Sequence, residues 1–210
     1  MQIELKNIKP QYMSEAEVKA SDIYLQKSVV FEKRKKYLIK ANSGNGKTSI
    51  LNFIYGSNLK FDGEIFYNKE RKEKEVFTYR KEHISYVFQD FKLFPSLTLL
   101  ENIQLKNRLT NYKTEEEIIA LINRVQLGEK KNDLLEKFSL GQKQRVAIIR
   151  ALCQPFDFLL LDEPFSHLDN ENIEILISIL KEELEKQQAS LLMTSLGTVS
   201  CFEFDRVLNL

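Results

Sequence analysis

Gly44, Gly46, Lys47 and Thr48 fall within the stretch ANSGNGKTSI, residues 41 to 50. Glycines at this spacing let the backbone curl so that its N–H groups, and the N-terminus of a following helix, face one point, which suits a phosphate group. Lys47 would then reach the terminal phosphates of a nucleotide, and the Thr48 hydroxyl would hold magnesium. Ala41 stands where such a loop usually carries its first glycine. Alanine is harmless there if φ is negative and costs about 1 kcal/mol or more if φ must be positive. A short Gly-Lys-Thr match also arises by chance, so the apolar stretch KYLIKA directly before it is what strengthens the reading.

A second group of residues, FLLLDEP at 158 to 164, ends an apolar run in two carboxylates. Asp162 at the end of a buried strand can reach a magnesium shell, and Glu163 beside it can orient an attacking water or accept its proton. Taken alone, the pair also fits an ordinary exposed strand-to-loop corner. With a phosphate loop far upstream, nucleotide hydrolysis is the better reading.

These residues need strands and helices to hold them. IELKNI and SDIYLQKSVVF alternate as strands, EKRKK marks a charged turn, and KYLIKA is a strand leading through the glycine loop into a helix bearing Ile50, Leu51, Phe53 and Ile54. GEIFYN and ISYVF are further strands, separated by the charge run KERKEKE, read as a solvated loop. From Leu97 to Gln154 the pattern is helical. Thr114 and Glu117 form a capping box, Ile118, Leu121, Ile122 and Val125 follow at helical spacing, and Gly128 is expected to stop the run. DFLLLD is then a strand, residues 170 to 187 a helix with Ile173, Leu176, Ile177, Leu180 and Leu184 on one face, and ASLLMT and DRVLNL the last strands. Strand and helix alternation of this kind implies a mainly parallel sheet covered by helices.

The chain has 210 residues, enough for one domain with a substantial core, and a net charge of +1, which carries no broad positive field for nucleic acid or a polybasic membrane tether. Cys153 and Cys201 fit no metal spacing and read as packing cysteines. No apolar run approaches the roughly 18 residues of a membrane span, and MQIELKNIKP reads as a strand and not as a signal peptide. A soluble, cytoplasmic chain is the expectation.

Three further stretches complete a pattern. FSLGQKQRVAIIRAL at 138 to 152 resembles the signature motif of ATP-binding cassette (ABC) proteins, YVFQD at 86 to 90 resembles their Q-loop, and SHLD at 166 to 169 their D-loop. With the phosphate loop and FLLLDEP, they stand in that family's order and spacing over essentially the whole chain. VFQDFKLFPSLTLLENI is most similar to the small cassettes of lipoprotein-release, macrolide-export and cell-division systems. The resemblance implies an α/β fold, a P-loop NTPase of the ABC type: a mainly parallel sheet core, an N-terminal antiparallel β part and a helical subdomain inserted at about 97 to 154 of a single ATP-binding domain spanning 1 to 210.

It further implies a subunit that binds Mg-ATP at a head-to-tail dimer interface and hydrolyses it to drive a separate transmembrane permease, at the cytoplasmic face of the membrane. Asn42, Ser43, Gly44, Asn45, Gly46, Lys47, Thr48 and Ser49 would cradle the phosphates. Ser139, Gly141 and Gln142 of one subunit would meet the nucleotide of the other. Thr48, Gln89 and Asp162 would hold magnesium, and Glu163 and Gln89 would act on the attacking water. Tyr12 is either the aromatic that stacks on adenine or a packing tyrosine.

Two departures matter. Leu140 replaces the first glycine of the usual Ser-Gly-Gly-Gln, a mild change. In LLMTSLGT the family has a histidine after the threonine, where this chain has Ser195; its only histidines are His83 and His167. A serine is shorter and cannot become cationic, so hydrolysis about 10²- to 10⁴-fold weaker is the expected scale for a lost positioned group. The chain also ends on DRVLNL without the terminal extension of many relatives, which reads as a minimal cassette. The alternative is a degenerate regulatory or structural cassette with little turnover; cassettes acting on nucleic acid are disfavoured by size and charge.

Overall fold

The structure, a computed structural model, describes residues 1–40, 46–70, 76–196 and 202–210. Its centre is a five-stranded parallel sheet in the order β5-β6-β7-β3-β8, built from β3 (Lys36–Lys40), β5 (Ile84–Val87), β6 (Phe158–Asp162), β7 (Ser190–Ser195) and β8 (Arg206–Asn209). Parallel strands are buried on both faces, so their sequences are apolar throughout instead of alternating with polar residues. Alternate side chains therefore serve two cores. Leu159 and Leu161 of β6, with Leu191 and Met193 of β7, face one core; Phe158, Leu160 and Leu192 face the other.

The first core is closed by α4 (Leu99–Asn107), α5 (Glu115–Arg124), α6 (Leu140–Ala151) and α7 (Asn170–Gln187). The second is closed by α2 (Lys47–Tyr55) and by a separate antiparallel sheet, β2-β1-β4, formed by β1 (Ile3–Pro10), β2 (Ser28–Phe31) and β4 (Phe61–Tyr67). Two short helices, α1 (Glu15–Ala20) and α3 (Val76–Glu82), lie outside any strong apolar pattern: α1 buries no residue and α3 only Tyr79. Among the described residues, no helix is long and apolar enough to cross a membrane.

Helix starts follow the expected chemistry. Thr114 caps α5 with Glu117 as its reciprocal partner, and Thr98 with Glu101 and Ser139 with Gln142 do the same for α4 and α6. Two expectations are corrected. SDIYLQKSVVF is extended only over β2, because the buried Ser21 hydroxyl accepts the N–H groups of Ile23 and Tyr24 and turns the chain there. The helix α5 also ends before Gly128: Gln126 takes the left-handed conformation at φ 57, and Gly128 instead begins a short 3₁₀ turn.

β1 and β4 slip register between Lys6 and Lys9, a bulge where Gly63 sits at φ 99 and a Cβ added to it would fall within 2.4 Å of the carbonyl oxygens of Lys6 and Asn7. A side chain there meets both a forbidden backbone region and backbone oxygens. Gly63→Ala is expected to destabilise the protein by about 2–4 kcal/mol, read from denaturant unfolding. A midpoint unchanged from wild type would show that the bulge yields freely.

Candidate nucleotide site

The carboxyl ends of β3, β6 and β7 meet at one level, since Asp162 pairs in register with Thr194 and Lys40 with Ser195. In open parallel sheets this edge is where ligands bind. Asp162 is 2% exposed; its Oδ1 accepts from the Thr194 hydroxyl at 2.6 Å, and the Tyr86 hydroxyl faces its Oδ2 at 3.5 Å. Burial first, and then the Asp162 charge, raises the Tyr86 phenol far above its usual range, so it remains a neutral donor.

Glu163 follows with φ 48, a left-handed angle for a residue with a side chain. Its N–H donates to Thr194 Oγ1 at 3.1 Å, and its carbonyl accepts from Gln144 Nε2 at 3.2 Å. The turn aims the carboxylate at α2. There Glu163 Oε1 lies 3.4 Å from Lys47 Nζ, in a pair whose side chains are only 14% and 5% exposed. Lys47 and Glu163, far apart in sequence, thus share one half-enclosed place.

Gly46 begins α2 at φ 82, and a Cβ there would meet Met13 Cε at 2.8 Å. The left-handed angle is what favours glycine here, since the Met13 side chain can give way. Asn42, Ser43, Gly44 and Asn45, with Ala41, lie outside the described residues. Tyr12 does not pack in the core: it is 55% exposed, and its hydroxyl is hydrogen bonded to Ser49 Oγ, at the start of α2. Tyr24, buried nearby, has a hydroxyl with no hydrogen-bond partner among the described residues.

Thr48 Oγ1 donates to Gln89 Oε1 at 3.3 Å, and both line an open cleft of about 420 Å³ with Asn52, Ser57, Phe88, Asp90 and Lys92. The backbone after Gln89 turns sharply, with Phe91 and Lys92 at φ 63 and 47. Arg150 of α6 holds that turn, its guanidinium donating to the carbonyls of Phe91 and Lys92, both at 2.7 Å. Burial lowers the Arg150 pKa to about 10, so it stays charged near neutrality.

For magnesium, Thr48, Gln89 and Asp162 offer one carboxylate and two neutral oxygens, a hard donor set that fits a cation completing its shell with water and phosphate. Among the described residues, no group of three or more His, Cys, Asp or Glu could hold a metal by itself.

At the start of α6, Ser139 Oγ accepts from Gln142 N at 3.3 Å, and Gln142 Oε1 accepts from Ser139 N at 3.0 Å. The serine therefore keeps its hydroxyl proton to donate outward, whereas the Gln142 oxygen is used within its own helix. Ser195 ends β7, half-buried. His83 lies at the opposite end of the sheet, before β5, with Nδ1 2.7 Å from Asp157 Oδ2.

Sequence reasoning missed Thr194, Tyr86, Gln144 and Arg150. The last lies on the apolar-patterned signature helix, where an arginine signals a buried bond only once its neighbour is known.

A P-loop phosphate helix, a strand-end Asp-Glu pair and a parallel sheet define a nucleotide-hydrolysing cassette. The family described as ABC transporter matches residues 26–166, and the chain belongs to it, as one of its ATP-binding domains. It is 31% identical over 175 residues to an uncharacterized ABC transporter ATP-binding protein of Mycobacterium tuberculosis, covering 80% of this chain and 71% of that protein. The lipoprotein-releasing system ATP-binding protein LolD of Treponema denticola is 30% identical over 184 residues, covering 81% of each. Among solved structures, the dimeric ATP-binding cassette MJ0796 in a post-hydrolysis state bound to ADP and Pi is similar at TM-score 0.73 and 29% identity, covering 91% of this chain and 87% of that one.

Proposed function

We propose that this chain forms one ATP-binding domain over residues 1–210, with a helical insert at about 97–154. On this reading it binds Mg-ATP at the interface of a head-to-tail dimer and hydrolyses it to drive a separate transmembrane permease at the cytoplasmic face. The observation that carries the reading is the 3.4 Å pairing of Lys47 with Glu163 beside the buried Asp162.

Residues 42 to 49 cradle the phosphates, and the Lys47 ammonium exchanges part of its contact with Glu163 for phosphate oxygens. That exchange leaves the Glu163 carboxylate facing the γ-phosphate, where it accepts the proton of the attacking water. Thr48, Gln89 and Asp162 hold magnesium, which when bound neutralises phosphate charge. Ser139 and Gly141 of the second copy donate to the γ-phosphate across the interface, a use of a helix N-terminus as an anion site. Gln142 helps by fixing the Ser139 rotamer. Leu140, 56% exposed between those donors, supports a partner's coming to cover this surface. Tyr12, exposed and bonded through its hydroxyl to Ser49 of α2, stacks on adenine on this reading.

Ser195 favours a slow site. Ser195→His is expected to raise ATP turnover by about 10-fold or more by restoring a positioned imidazole, measured as phosphate release. A variant no faster than wild type would overturn the idea that this position limits hydrolysis. The second reading, a cassette that grips ATP and dimerises without useful turnover, rests on the same serine. It predicts wild-type phosphate release no greater than that of Glu163→Gln.

A further inference from the structure

His167 is not accounted for by its own chain's site, yet it is built into the surface that carries Ser139 and Gly141. A Cβ on Gly141 would lie 2.7 Å from the His167 carbonyl oxygen, so the start of α6 and the SHLD loop touch backbone to backbone. Gln144, 1% exposed, fastens the two together: its Oε1 accepts from His167 N at 3.1 Å while its Nε2 donates to Glu163 O and to Ser166 Oγ. Wherever the start of α6 goes in a dimer, His167 goes with it.

The same clamp holds the imidazole in place. Ser166 Oγ accepts from Gln144 Nε2 at 3.4 Å and lies 2.8 Å from His167 Nδ1. In the tautomer in which the Ser166 hydroxyl donates to Nδ1, the ring proton sits on Nε2. His167 is exposed, rests its ring edge-on against Phe91 with centroids 6.0 Å apart, and makes no Nε2 hydrogen bond among the described residues. In that tautomer it is an oriented donor whose Nε2–H has no partner among the described residues. The other histidine, His83, is bound to Asp157 at the far end of the sheet.

We propose that His167 of one copy serves the nucleotide site of the other, its Nε2–H donating to a γ-phosphate oxygen where Ser195 leaves that site short of a donor. The inference rests on the head-to-tail reading above. In the hydrolysis step the water oxygen forms the new bond to the γ-phosphorus as the bond to the β,γ-bridging oxygen breaks. The water proton passes to Glu163, and His167 retains its own.

The test uses pairs of differently tagged full-length chains, purified through both tags. Because Glu163 faces Lys47 of its own chain, a Glu163→Gln chain paired with a His167→Ala chain has both defects in one site and leaves the other complete, provided the histidine acts across the interface. That mixed dimer is expected to release phosphate as fast as Glu163→Gln paired with wild type, while the His167→Ala homodimer falls about 10- to 100-fold. A mixed dimer as slow as that homodimer overturns the proposal, because the histidine then acts on its own chain's site. So does a His167→Ala homodimer that keeps wild-type turnover.

Light scattering supplies a readout apart from activity: the double variant His167→Ala, Glu163→Gln is expected to dimerise with ATP as Glu163→Gln does. Loss of dimerisation in the double variant alone would reduce His167 to an interface contact and overturn its role at the phosphate. If Glu163→Gln itself shows no ATP-driven dimer, the head-to-tail reading fails, and the proposal falls with it.

Discussion

Glu163→Gln is expected to lower ATP turnover by about 10²- to 10⁴-fold, the usual range for a positioned acid or base, while nucleotide binding is kept or tightened. The two side chains have nearly the same shape, and the backbone that aims them does not depend on the charge: Glu163 N–H goes to Thr194 and Glu163 C=O receives Gln144. What changes is the carboxylate that can take a proton from water, and its negative charge beside incoming phosphates. Losing that charge removes a repulsion, so the ATP-bound dimer should accumulate. Phosphate release and light scattering on the same samples measure both effects. Turnover within a few-fold of wild type would remove Glu163 from the mechanism and leave the 3.4 Å contact with Lys47 as a structural ion pair only.

The second large effect is on binding. Lys47→Ala removes an ammonium that is 5% exposed and stands at the start of α2, where the helix dipole already favours anions. Charge-assisted hydrogen bonds in such a place contribute about 1.5–3 kcal/mol each, so ATP affinity is expected to weaken by about 10- to 150-fold. The most direct measurement is the rise of the unfolding temperature with ATP, which follows ligand concentration over dissociation constant. Lys186→Ala, at the exposed pair with Glu117, is the charge control and should leave that rise unaltered. An equal loss in both variants would mean that net charge, and not the loop lysine, governs affinity.

Much of the architecture was legible because its signals are local. A capping box needs only Thr114 and Glu117 three residues apart, and the apolar stripe of α7 is a matter of helical period. Where local signals were weak, reading stopped. α1 and α3 offer almost no buried face to announce themselves, and SDIYLQKSVVF looks like one strand because Ile23 and Tyr24 are buried in a turn as thoroughly as they would be in a sheet.

The same division runs through the site. By itself the sequence determined the family, the order of its motifs, the carboxylates, the lysine and the missing histidine at Ser195, because these are facts of residue type and spacing. Only the tertiary structure decided which of them touch. β7 inserts between β6 and β3, and that non-local pairing alone sets Thr194 beside Asp162 and Ser195 beside Lys40. Gln144 gains its meaning only where α6 packs on the SHLD loop, locking His167 to the start of the signature helix. Strand order and helix packing are chosen by burial of both sheet faces over the whole chain, a global balance that no short stretch of residues encodes.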